Sequence, residues 1–161
     1  MPRTLYLDCL SGISGDMTVG ALCDLGVAPA TIEAELRKLS LGETRFAFER
    51  QTRQGIEGLR FSVEESGHAH GRSYEQICRL IGQSALSDFV SQKARAVFER
   101  IALAEAKIHG RPVETVGFHE VGAIDSIADI VGVCIALEEL GRPRVIVAAC
   151  FSVRWPSPAA S

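Results

Sequence analysis

Three short stretches of this chain gather side chains that hold anions and metal ions. The first is Asp8-Cys9-Leu10-Ser11-Gly12-Ile13-Ser14-Gly15-Asp16. A carboxylate stands at the end of an apolar segment, two glycines permit a tight turn, and a helix start follows. Such a turn presents free N–H groups beside the positive end of a helix dipole, which suits a phosphate or carboxylate. Ser11, Gly12, Ser14 and Gly15 would form that cradle, and Asp8 and Asp16 flank it where a divalent cation could sit near the anion. No Gly-Lys-Ser/Thr closes the loop, so it is not a Walker A motif, and it lacks the third glycine of a dinucleotide fingerprint. The same residues also suit an ordinary strand-to-helix turn with Asp16 capping the helix.

The second stretch is His68-Ala69-His70-Gly71-Arg72. Histidines two apart in a loop can reach one borderline metal, and Arg72 can neutralise a phosphate. A solvated polar loop has the same composition. The third runs from His119-Glu120 through a glycine turn to Asp125 and Asp129. Two carboxylates four apart share one helix face, which is unfavourable without a cation or hydrogen-bond donors. Capping by Asp125 or Ser126, with Asp129 solvated, is the alternative. Gly132 and Ala136 continue that face with small side chains, so another backbone or a ligand can approach. His109 reads as a cation at a helix C-terminus.

These stretches need elements to position them. Residues 4–9 read as a buried strand and residues 16–25 as a helix with Met17, Ala21, Leu22 and Leu25 at helical spacing. Pro29 opens a second helix with Ile32, Leu36 and Leu39 on one stripe and a Glu33–Arg37 pair. Residues 45–51 and 56–64 alternate around Gln54-Gly55 as a hairpin or two adjacent strands. Ser73 and Gln76 form a capping box, and Ile77, Leu80 and Ile81 follow. Ser87-Asp88 starts the longest helix, with Val90, Ala94, Val97, Phe98, Ile101, Ala104 and Ile108 as its apolar positions. A helix over 125–140 and an apolar strand over 145–149 complete the order β-α-α-β-β-α-α-α-β, an α/β or α+β layered single domain.

Composition narrows the function. The 161 residues carry 17 Lys+Arg against 20 Asp+Glu, a net charge of −3, so the basic footprint of a nucleic-acid binder is missing. An apolar fraction of 47% suits a folded core, and no run is long enough for a membrane span. Asp8 falls too early for a signal peptide, so cytoplasmic location is expected. Five cysteines without a C-x-x-C pair exclude a zinc ribbon and read mostly as small core residues.

The strings LYLDCLSGISGDMTVGALCDLG, HAHGRSY and AEAKIHG followed by VGFHEVGAIDSIADIVG resemble the N-terminal half of the LarC family of nickel insertion proteins, over residues 5–147. The resemblance implies a nickel chelatase of the lyase class. It would insert Ni²⁺ between the two sulfurs of pyridinium-3,5-bisthiocarboxylic acid mononucleotide, forming a carbon–nickel bond. The product is the nickel-pincer cofactor of lactate racemase, whose apoenzyme acts downstream. CTP, with Mg²⁺ or Mn²⁺, would be hydrolysed to CMP and pyrophosphate in the C-terminal half. Within that chemistry His68, His70 and His119 are the expected metal ligands. Asp8, Asp16, Glu120 and Asp125 support them as catalytic carboxylates, and Ser11, Gly12, Ser14, Gly15 and Arg72 take the substrate phosphate. Residues 1–149 would be the N-terminal nickel-insertion domain, and residues 150–161 an atypical tail left by truncation or by the end of a first reading frame. A non-catalytic nickel- and mononucleotide-binding module acting with a separate CTP-binding half is the competing reading, and a phosphate-binding domain without metal a third. A homo-oligomer stays open.

Overall fold

The order of elements follows from where glycine, proline and capping residues fall. A computed structural model describes residues 3–10, 12–65, 71–118 and 122–148. The expected site residues Ser11, His68, His70, His119 and Glu120, and the tail over 150–161, lie outside the described residues. The elements are β1 (Thr4–Leu7), α1 (Gly15–Asp24), α2 (Pro29–Leu36), β2 (Thr44–Arg53), β3 (Ile56–Glu65), α3 (Tyr74–Gly82), α4 (Asp88–His109), α5 (Ile124–Glu139) and β4 (Arg144–Val147). A short 3-10 turn (Val113–Thr115) precedes α5. The chain is thus one α/β domain with the order read from its sequence.

The strands form two separate pairs. Strands β2 and β3 make an antiparallel hairpin from Arg53↔Ile56 to Thr44↔Glu65. Its two-residue turn holds Gln54 at φ 51° and Gly55 at φ 81°, the two positive φ angles that match a turn to the twist of its strands. Strands β1 and β4 pair in parallel, Thr4↔Arg144 to Leu7↔Val147, and so bring the two ends of the domain together.

Helix α5 is the centre. Ile124, Ile127, Ala128, Val131, Gly132, Cys134, Ile135 and Ala136 are buried, almost all the way round, as expected of a helix enclosed by its neighbours. Helices α1, α2 and α4 pack against it. On its other side α1 lies on β3, where the Leu59 N–H donates to Asp24 Oδ2 at 2.9 Å.

Three expected faces differ in the structure. In α1 the buried residues are Val19, Gly20, Leu22 and Cys23, while Met17 and Leu25 are each 59% exposed. In α4 the core stripe is Val90, Ala94, Phe98, Ala102 and Ala106, an unbroken four-residue spacing. Val97 and Ile108 are left off the core face, 39% and 75% exposed. Strand β1 is not buried as expected: Tyr6 is exposed, as are Val145, Ile146 and Val147 of β4. A two-stranded parallel pair with apolar residues outward is unusual, since parallel strands are normally covered on both faces.

Caps fall where the sequence places them. Ser73 Oγ accepts from Gln76 N–H at 3.2 Å, and Gln76 Oε1 accepts from Ser73 N–H at 2.8 Å. Ser87 Oγ accepts from Val90 N–H at 3.2 Å and donates to Glu138 Oε2 at 2.6 Å, tying the start of α4 to the end of α5. That hydrogen bond, with Arg142, holds the Glu138 carboxyl below its usual range. Ser87→Ala is expected to cost about 1–2 kcal/mol, a Tm fall of about 2–8 °C in thermal unfolding. An unchanged Tm would mean that the cap and the cross-helix bond carry no stability.

Candidate functional site

The segment following the His68/His70 loop and the segment on either side of His119-Glu120 are laced together by main-chain hydrogen bonds. Arg72 N–H donates to Gly122 O at 3.3 Å, Phe118 N–H donates to Arg72 O at 3.2 Å, and Tyr74 N–H donates to Val116 O at 3.1 Å. Glycine at 122 is required: a Cβ there would sit 2.4 Å from Arg72 N and 2.6 Å from Arg72 O. Arg72 Nη1 is sealed from solvent with no hydrogen-bond partner among the described residues. A buried guanidinium N–H left unmatched is costly, which is the condition an incoming anion relieves.

The first and third stretches meet at the N-terminal ends of α1 and α5. Gly15 is the first residue of α1, and a Cβ on it would lie 2.5 Å from Asp129 Cβ and 2.6 Å from Asp129 Oδ2. The Asp16 N–H donates to the Asp129 carboxylate, so an anion does sit at this helix start, and it belongs to the protein. Asp129 is half-buried, not solvated. Burial first, then the charges of Asp16 and Asp125, push its carboxyl up to about 6, although the Asp16 N–H opposes the shift. Asp129 Oδ1 is buried and has no hydrogen-bond partner among the described residues, which is costly for an ionised carboxylate and favours its protonated form.

The remaining expected residues take simpler positions. Gly12 has φ +83° and its N–H closes a turn onto Cys9 O at 3.0 Å. Ser14 is the N-cap of α1, but its hydroxyl donates to Asp16 Oδ1 instead of capping. Asp8 is exposed, and no described side chain bonds to it. Asp125 is exposed and its Oδ1 accepts from Ser126 N–H at 2.7 Å. The N-cap of α5 is Ala123, so neither Asp125 nor Ser126 caps it. His109 Nε2 lies 3.2 Å from Glu105 at the last turn of α4, away from this junction. Cys23 and Cys134 are buried with thiols pushed up to about 11, and each serves as core. Among the described residues no group of three His, Cys, Asp or Glu is placed to hold a metal.

What the described residues define is a single α/β domain in which Gly15 and Asp129, and Arg72 and Gly122, meet near the start of one buried helix. The family model for the nickel insertion protein matches residues 5–153, and the chain belongs to that family. A pyridinium-3,5-bisthiocarboxylic acid mononucleotide nickel insertion protein of Staphylococcus epidermidis is 47% identical over 141 residues, covering 88% of this chain and 36% of its own length. One of the same name from Geobacillus kaustophilus is 50% identical over 157 residues, covering 91% of this chain and 38% of its own. The chain thus spans little more than a third of the relatives it matches. No solved structure matches it. No helix among the described residues is long and apolar enough to cross a membrane.

Proposed function

We propose that this chain is the nickel- and substrate-binding part of an enzyme that inserts Ni²⁺ into pyridinium-3,5-bisthiocarboxylic acid mononucleotide. The observation that supports this most directly is the pair of contacts that the described residues make between these stretches. Arg72 is bonded to Phe118 and Gly122, and Asp129 is lodged on Gly15. Nickel is a substrate here. His68, His70 and His119 offer it borderline nitrogen ligands. Asp8, Asp16, Glu120 and Asp125 lie in the same stretches of sequence as candidate carboxylates, and Asp129, whose Oδ1 has no partner among the described residues, is added to them. Formation of a carbon–nickel bond replaces a ring C–H: the nickel takes the carbon and the proton leaves to a carboxylate. Arg72 supplies a buried donor for one of the anionic groups of the substrate.

The glycine turn before α1 has no Gly-Lys-Ser/Thr to take a triphosphate. We therefore assign CTP hydrolysis to the part of the longer family protein that this chain does not span, and derive no step through it. Delivery of the product to a lactate-racemase-type apoenzyme belongs to the same reading. A non-catalytic carrier role is the alternative reading, and the absence of turnover by the chain would decide for it. Isothermal titration with Ni²⁺ tests the metal assignment. A His68→Ala/His70→Ala/His119→Ala variant is expected to bind at least about tenfold more weakly. Equal affinity would remove these imidazoles from the site.

A further inference from the structure

A cavity of about 660 Å³ runs between α4 and α5, and Gly15 and Asp129 line it. We propose that this cleft is the binding site for the pyridinium mononucleotide, with its phosphate held by Lys93 and Arg142 and its ring lying toward Asp129. The proposal rests on the nickel-insertion reading above and adds to it a place for the organic substrate.

Shape, charge and direction support it. Cavities of roughly 300–1,000 Å³ accept small-molecule ligands. The walls carry Val97 from α4 and Ile130 and Val133 from α5, an apolar slot suited to a flat ring. Three cations, Lys93, Arg100 and Arg142, line the cleft against one carboxylate, Asp129. Lys93 Nζ lies 5.9 Å and Arg142 Cζ 4.5 Å from the centre of the Phe89 ring, so the two share one end. Arg142 is also paired with Glu138, whereas Lys93 and Arg100 have no ion pair among the described residues. The Ser87–Glu138 hydrogen bond sets α4 and α5 antiparallel, which puts Phe89 beside the end of α5 and Asp129 far from it. Arg100 lies two turns beyond Lys93, about 10 Å along the helix, on the way to Asp129. A mononucleotide phosphate and the thiocarboxylate substituents on its ring are separated on that scale. The ring would then meet the acidic junction where nickel arrives. The other sizeable cavity, about 480 Å³ between α1 and the hairpin, balances Arg53 and Arg60 against Asp24 and Glu57 and offers an anion no such advantage.

The test uses the chain as it is, free of metal, with nicotinic acid mononucleotide as the probe in isothermal titration. The wild type is expected to bind it. Lys93→Glu/Arg100→Glu, at two exposed positions of α4, is expected to weaken binding at least tenfold. Val97→Trp, which fills the slot without touching charge, should do the same. Both variants should keep their Tm and their nickel isotherm. No binding of the probe by the wild type, or equal affinity in the charge-reversed variant, overturns the proposal. So does inorganic phosphate binding as tightly as the mononucleotide, or a concentration-dependent dimer that Val97→Trp abolishes, since the cleft would then be a contact between copies. Loss of nickel binding alone, with probe binding intact, would count against the metal reading and leave the cleft assignment standing.

Discussion

Asp129→Asn is expected to make the metal-free protein more stable and to cost it its nickel affinity. The carboxyl of Asp129 titrates at about 6 in the folded chain because it is half-buried beside Asp16 and Asp125. A raised carboxyl pKa favours the folded state fully below the unfolded value, near 4, and that advantage is lost as pH rises through 6. At pH 7.5 the folded protein therefore carries an ionised group that its surroundings disfavour. Asparagine removes the charge and keeps an oxygen for the Asp16 N–H. Two pKa units correspond to about 3 kcal/mol, and partial access to solvent reduces this to about 1–2 kcal/mol. For a chain of this length the Tm gain in a chelator-containing buffer is about 2–8 °C at pH 7.5. It should vanish near pH 4, where both proteins are neutral at this position. Nickel affinity should fall at least about tenfold. A Tm gain with unchanged nickel binding would place Asp129 outside the metal site. No Tm gain at pH 7.5 would mean that the surroundings tolerate the charge.

That residue shows how far the site was legible. The four-residue spacing of Asp125 and Asp129 was visible, and so was the conflict of like charges. What partly offsets it is the Asp16 N–H at the start of α1, more than a hundred residues earlier, and no periodicity links the two. The same is true of Arg72. Its type marked it as an anion partner, but its buried Nη1 depends on Phe118 and Gly122 folding against its own backbone. At the start of α1 the Asp16 N–H is used internally by a carboxylate that sequence spacing does not bring near.

Local signals located the elements, because they act within a few residues. The Ser73 box, the Ser87 cap, Pro29 and the Gln54-Gly55 turn each work over one to three positions. Which face of a helix is buried was harder to read, because that is decided by its neighbours. In α4 the buried stripe is Val90, Ala94, Phe98, Ala102 and Ala106. Val97, read as an apolar position of that face, lines the cleft instead. Strand β1 reads as buried because it is apolar, but Tyr6 is exposed.

Gly122→Ala is expected to cause a large loss of stability and to uncouple the two loop segments. The added methyl would meet three main-chain atoms, Arg72 N at 2.4 Å, Arg72 O at 2.6 Å and Phe118 O at 2.7 Å. None of these can rotate away as a side chain would, so the backbone itself must move. Moving it breaks the Arg72–Gly122 and Phe118–Arg72 hydrogen bonds and opens Arg72 to water. A forced main-chain shift of this kind falls among the severe single substitutions, about 3–4 kcal/mol, or roughly 6–16 °C in Tm. Amide exchange reads the cause directly: the Arg72 and Phe118 amides should lose protection while those of the hairpin keep theirs. Nickel affinity should fall with them if the loops act together. Gly82→Ala is the control, because a Cβ there meets nothing within 4 Å at the exposed end of α3. That variant should be neutral or slightly stabilised. If Gly122→Ala behaved like Gly82→Ala in both exchange and nickel binding, the stitch between the loops would be incidental and the convergent site would lose its support.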